Sequence, residues 1–146
     1  MELLDFIQLI RPIISKQNYK SMKKFRHHAN RSCYYHSIKV AYLVYKHCQK
    51  KKRKYDTLEI VKGALLHDYY LYDWHNKNEG HRLHGFRHPK FAYKNALRDY
   101  GDLTKIEKDI ILHHMFPLVI FFPLTKQGYI VSYYDKVASL LDYFHR

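Results

Sequence analysis

The chain has 146 residues, 47% of them apolar, and a formal net charge of +13 with its histidines neutral. That length suits one domain with a real core, and the apolar content excludes a disordered chain. No apolar run approaches the roughly 20 residues of a membrane span, and "MELLDFIQLI" lacks the leader and cleavage site of a secretion signal, so the expected setting is soluble and cytoplasmic, with no membrane partner.

The first helix is expected over Glu2 to Ser15, with Leu3, Phe6, Ile7, Ile10 and Ile14 near one face and Pro12 as its weak point. A short segment around Tyr19 to Phe25 leads to a long helix from about Arg31 to Gln49. Asp56 is placed to cap the next helix, with Glu59 three residues on. That helix ends near His67 and Asp68, and Tyr69 to Arg87 reads as a loop of a length that is often functional. A helix from His88-Pro89 to Tyr100 follows, with proline in its first turn. Thr104 and Glu107 have capping-box spacing for a helix to about His114 or Met115, and a last helix runs from Gly128 to about Tyr143. The whole is an all-α domain of six or seven helices spanning residues 1–146.

The charge excess favours an anionic partner such as a nucleotide, a phosphorylated metabolite or nucleic acid. Outside "KKKRK" at Lys50 to Lys54 the basic residues are dispersed, and no familiar nucleic-acid-binding motif is visible. Cys33 and Cys48 have neither the number nor the spacing of a disulfide framework or a zinc site, and are expected to be ordinary buried or half-buried thiols.

Helical spacing puts polar groups on apolar stripes. His36 shares a face with Cys33, Val40, Leu43 and Val44, while His113 and His114 line up with Ile106 and Ile110. Asp135 lies between Val131 and Ala138, and His67-Asp68 follows Leu65 and Leu66. Buried imidazoles and carboxylates need partners. A metal ion would satisfy all of them together, and a His/Asp set without cysteine suits iron, manganese, zinc, nickel or magnesium.

The order His36, His67-Asp68, His88, His114, Asp135 resembles the HD superfamily of metal-dependent phosphohydrolases, over about His27 to Ser139. "HSIKV", "GALLHD" and "DKVAS" match the local context of its signature, and "HPKFAYKNA" with "IILHH" resembles its binuclear branch. The likeness extends to small bacterial HD proteins through His27-His28, "LHDYYLYDWH", "HGFRHP" and "HMFPL". It implies that His36, His67, Asp68 and Asp135 hold one divalent ion. Asp68 would bridge to a second held by His88 and His114, with iron or manganese favoured. His113 is then a further ligand or a supporting residue.

The implied activity is hydrolysis of a small phosphorylated substrate, a nucleotide in the first instance, by a hydroxide activated between two metal ions. Asp68 and Lys39 are the expected catalytic residues, Lys39 as a phosphate contact or as a support to the ligands. Trp74, His75, Arg82 and His84 are expected to face substrate or support the ligands. Departures narrow the field: Leu71 and Tyr72 stand where guanosine-tetraphosphate hydrolases carry Glu-Asp, and no "GYP" element follows His114. The alternative is a non-catalytic HD protein that binds a nucleotide or associates with nucleic acid.

Overall fold

Three helix starts follow directly from side-chain chemistry. Ser32 accepts from the Tyr35 amide at the head of α3 (Cys33–Lys51), and Asp56 accepts from the Glu59 amide at the head of α4 (Thr57–Leu66). Thr104 and Glu107 form a reciprocal capping box at the head of α6 (Lys105–His113). The other helices are α1 (Glu2–Ile14), α2 (Gln17–Lys20), α5 (His84–Tyr100) and α7 (Lys126–Phe144), with a 3-10 turn at Ser21–Lys24. This computed structural model describes residues 2–27, 31–52, 54–72 and 84–144, of which 84 and 85 are described by backbone alone. Among the described residues the protein is all-α, with seven α-helices, and no helix is long and apolar enough to cross a membrane.

Helix α4 is the central element. Ile60, Val61, Ala64, Leu65 and Leu66 are all buried on it, because α3 covers one side and α6 the other. The approach of α6 needs Gly63: a Cβ there would sit 2.6 Å from Ile110 Cδ1. Helix α7 closes the bundle against α3 and α6, and α5 packs chiefly on α6. Buried Tyr19 donates its hydroxyl to the Leu65 carbonyl (2.8 Å), pinning the α2 segment under α4.

Several boundaries differ from the sequence expectation. Helix α5 begins at His84, ahead of the expected His88, so Pro89 lies beyond the first turn and forgoes a backbone bond. The buried stripe His88, Ala92 and Ala96 fixes the face of this helix, and Gly101 ends it in the left-handed region (φ 77°), its amide donating to the Leu97 carbonyl. In α1, Phe6, Ile10 and Ile13 are buried while Leu3 and Ile7 face solvent, so the apolar stripe is narrower and rotated. Helix α7 starts at Lys126, before Gly128, because the Asp109 carboxylate of α6 accepts from the Leu124 and Thr125 amides just ahead of it. Cys33 and Cys48 are both buried thiols outside any disulfide, as expected.

Candidate metal centre

The ligand candidates gather where several helices begin or end. His36 lies in the first turn of α3, His67 and Asp68 directly follow α4, and His88 lies early in α5. His114 follows α6, and Asp135 sits midway along α7. Two helix C-termini, those of α4 and α6, converge there, and their negative dipole ends favour a cation. His36, His67, Asp68, His88, His114 and Asp135 are all buried, so the structure brings together the whole set expected from the sequence.

Asp68 stands at the junction of two groups. Its Oδ2 faces His27 Nε2 (3.0 Å), His67 Nε2 (3.2 Å) and His36 Nε2 (3.7 Å). Its Oδ1 faces His88 Nε2 (3.1 Å) and His114 Nε2 (3.2 Å). Asp135 Oδ1 completes the first group, 2.8 Å from His36 Nε2 and 3.3 Å from His67 Nε2. His88 and His114 meet each other Nε2 to Nε2 at 2.8 Å. Donor atoms held about 2.1 Å from one ion lie roughly 3.0–3.4 Å apart, so these spacings suit shared coordination.

The tautomers sharpen this. His67 Nδ1 donates to the Ala64 carbonyl (2.5 Å) and His114 Nδ1 donates to the Ile111 carbonyl (2.9 Å). A carbonyl only accepts, so each neutral ring must turn a bare Nε2 lone pair toward the carboxylate oxygens. Lone pair against lone pair is repulsive unless a proton or a metal ion lies between. Asp68 Oδ2, buried among three imidazoles, makes no hydrogen bond of its own. The donor set and this orphaned oxygen fit a metal, and the buried His/Asp groups could hold one.

Without a metal, charge redistributes among these groups. Burial works to raise Asp68 and Asp135, but the neighbouring imidazoles outweigh it and hold both well below the usual carboxylate range. Burial likewise works to lower His67, and the Asp68 and Asp135 carboxylates overcome it, raising the imidazole to about 10. His114 falls to about 4, because burial dominates over its contact with Asp68.

His27 was not singled out as a ligand on sequence grounds. The antiparallel bridge between Arg26 and Ser32, with the His27 amide donating to the Arg31 carbonyl (2.6 Å), turns it inward. Its ring stacks on His36 at 3.6 Å between centroids. Asp142 is also new: its Oδ2 lies 3.8 Å from His36 Nδ1, and both atoms are buried without a hydrogen bond. A ligand histidine commonly donates its other ring nitrogen to a carboxylate, and Asp142 stands in that place. The spacing of Asp135, Ala138 and Asp142 on α7 was the available signal.

Lys39 is held at Asp142 Oδ1 (2.9 Å), and with Arg31, Tyr35 and His36 it lines a small cleft beside the centre. Lys136 contacts the His114 carbonyl and Asp135 Oδ2, clasping two ligand-bearing segments. His113 is not in the cluster: its Nδ1 pairs with Asp109 Oδ1 at 2.7 Å. Trp74, His75 and Arg82 lie outside the described residues, as does the side chain of His84. No family model, curated protein or solved structure matches the chain.

Proposed function

We propose that the protein is an HD-type metal-dependent phosphohydrolase whose centre holds two divalent ions, iron or manganese by preference, and acts on a small phosphorylated substrate such as a nucleotide. The observation that carries this reading is Asp68, whose two carboxylate oxygens each face a separate histidine group. His36, His67 and Asp135 would complete one site, with His27 at its edge, and His88 with His114 the other. Bound there, such ions lower the pKa of water and neutralise phosphate oxygens.

The chain's own contribution is orientation. The Ala64 and Ile111 carbonyls fix two imidazoles with Nε2 inward, and Asp142 faces the outer nitrogen of His36. Lys39 and Arg31 line the adjoining cleft together with Asp142, which they both face at 2.9 and 3.9 Å, so an anionic substrate would have to share their charge with that carboxylate. The test is metal analysis of protein purified without chelators, followed by a screen of mono- and dinucleotides, cyclic dinucleotides and generic phosphoesters with several divalent metals. Turnover that needs metal and is lost in Asp68→Ala, with the fold retained, is the expected result. Protein that neither carries metal nor is stabilised by any divalent ion would sink the proposal.

A further inference from the structure

From Met115 to Thr125 the chain carries no charged side chain. This loop joins α6 to α7, and Leu118, Ile120 and Leu124 on it are 74%, 83% and 75% exposed. Phe121 and Phe122 between them are exposed as well. Scattered apolar residues on a surface are ordinary, but a contiguous projecting set marks a contact site.

The loop is fastened at both feet. The Ser132 hydroxyl shares its one proton between the His114 and Phe116 carbonyls, and the Leu118 and Val119 amides donate to the Met115 carbonyl. At the other foot, Asp109 accepts from the Leu124 and Thr125 amides and from the Thr125 hydroxyl. Side chains between two such anchors are held outward by the fold itself.

Charge identifies what they meet. Phe121 shares a cleft with Phe86, Arg87, Lys90 and Lys94, and no acidic side chain among the described residues lines it. Lys126 follows the loop directly. A second copy of the chain would bring another +13 against this collar, a repulsive encounter. Phe121 and Phe122 could stack on nucleic-acid bases, but Leu118, Ile120 and Leu124, the most exposed side chains of the loop, are aliphatic and would stay in water there. An anionic bilayer satisfies both features, taking apolar side chains into its interface and cations over its headgroups.

We propose that the 118–124 loop is a peripheral membrane anchor, inserting Leu118, Ile120, Phe121, Phe122 and Leu124 into an anionic lipid surface while Arg87, Lys90 and Lys94 engage the headgroups. The apolar-run criterion applied to the sequence tests for spanning segments only, so it does not bear on this mode of contact. The loop springs from His114, so docking would hold the metal centre close to the interface. This inference is independent of the proposed hydrolysis.

The test is co-sedimentation of the full chain with phosphatidylcholine vesicles, with and without phosphatidylglycerol. Partitioning onto the anionic vesicles is expected to exceed that onto neutral ones by roughly tenfold or more, and to weaken between about 0.1 M and about 0.5 M salt. The double substitution Ile120→Asp with Phe121→Asp is expected to cut it by roughly tenfold, with the thermal midpoint unchanged. As a second readout that preserves the loop's apolar character, Ile120→Cys carrying an environment-sensitive dye should shift to the blue on anionic vesicles, Cys33 and Cys48 being buried. Absence of vesicle binding, binding indifferent to the loop substitutions, or an unshifted dye would overturn the proposal. So would a dimer of the unmodified chain that the loop substitutions convert to monomer.

Discussion

Because Asp68 faces both histidine groups, metal binding should report its shared role through stability. Removing metal with a chelator and returning manganese changes only the state of the centre, so the thermal midpoint measures the linkage. One ion at about a hundred times its dissociation constant adds about 2.7 kcal/mol, and two add about 5 kcal/mol. For a chain of 146 residues, at about 2–4 °C per kcal/mol, that is a rise of about 5–10 °C for one ion and about 10–20 °C for two. His114→Gln touches only the Oδ1 side of Asp68 and should retain roughly half of the rise. Asp68→Asn preserves the shape but removes the anion both groups face, and should lose most of the rise by itself. Differential scanning calorimetry with chelator, then manganese, iron and zinc, makes the comparison, with circular dichroism to verify the fold. The two-site reasoning is refuted if Asp68→Asn keeps the full rise, or if His114→Gln abolishes it as completely as Asp68→Asn does.

Other consequences follow from individual contacts. In chelated protein, His67 is raised from 6.5 to about 10, burial opposing its protonation and Asp68 and Asp135 outweighing burial. A raised value gives stability that is complete below pH 6.5 and lost as pH climbs through about 10. The thermal midpoint of the chelated form should therefore decline across that window, and a flat profile there would contradict the pairing. Asp142→Asn removes the carboxylate facing His36 Nδ1 and should weaken manganese binding by about 10–100-fold in a competing-chelator titration; unaltered affinity would show that this contact does not orient the ligand. Gly63→Ala forces a Cβ against Ile110 Cδ1, so urea unfolding should show a loss of about 1–3 kcal/mol. Ile110→Val deletes the offending atom and should restore part of the loss, whereas a stable single variant would mean the Ile110 side chain can move aside at no cost.

Most of the helices were legible because their start signals are local. Thr104 with Glu107 and Asp56 with the Glu59 amide each need only a few consecutive residues. His36 and Asp135 were legible for a related reason, since helical spacing places them on inward stripes, and His67-Asp68 was legible because it follows the apolar end of α4 directly. The choice of His114 over His113 came from the likeness of "HMFPL" to small bacterial HD proteins, and the structure supplies a physical counterpart. His114 and His67 both cap a helix C-terminus and donate Nδ1 to the carbonyl three residues back. What escaped depends on distant pairing. His27 turns inward only because Arg26 bridges Ser32, and Asp109 moves the start of α7 from a separate helix. The early start of α5 ran against the usual position of proline, which favours a first turn, because burial of His88, Ala92 and Ala96 governs that helix.

The centre is an expensive thing to bury, and that bears on its purpose. Asp68, Asp135 and Asp142 lie with His27, His36, His67, His88 and His114 inside a bundle whose neighbouring positions hold alanine, leucine and isoleucine. Replacing a buried ionic network with well-packed apolar residues is commonly neutral or stabilising. Stability therefore gives no reason to assemble this cluster. The opposed Nε2 lone pairs and the orphaned Asp68 Oδ2 leave the metal-free protein with an electrostatic conflict that protons relieve only in part, raising His67 while His114 is driven down. A cation at each face of Asp68, as proposed, would resolve both ends of that conflict. Under the proposed function, a metal-linked gain in stability is the thermodynamic counterpart of a site organised for chemistry, and the two should be lost together when Asp68 is changed.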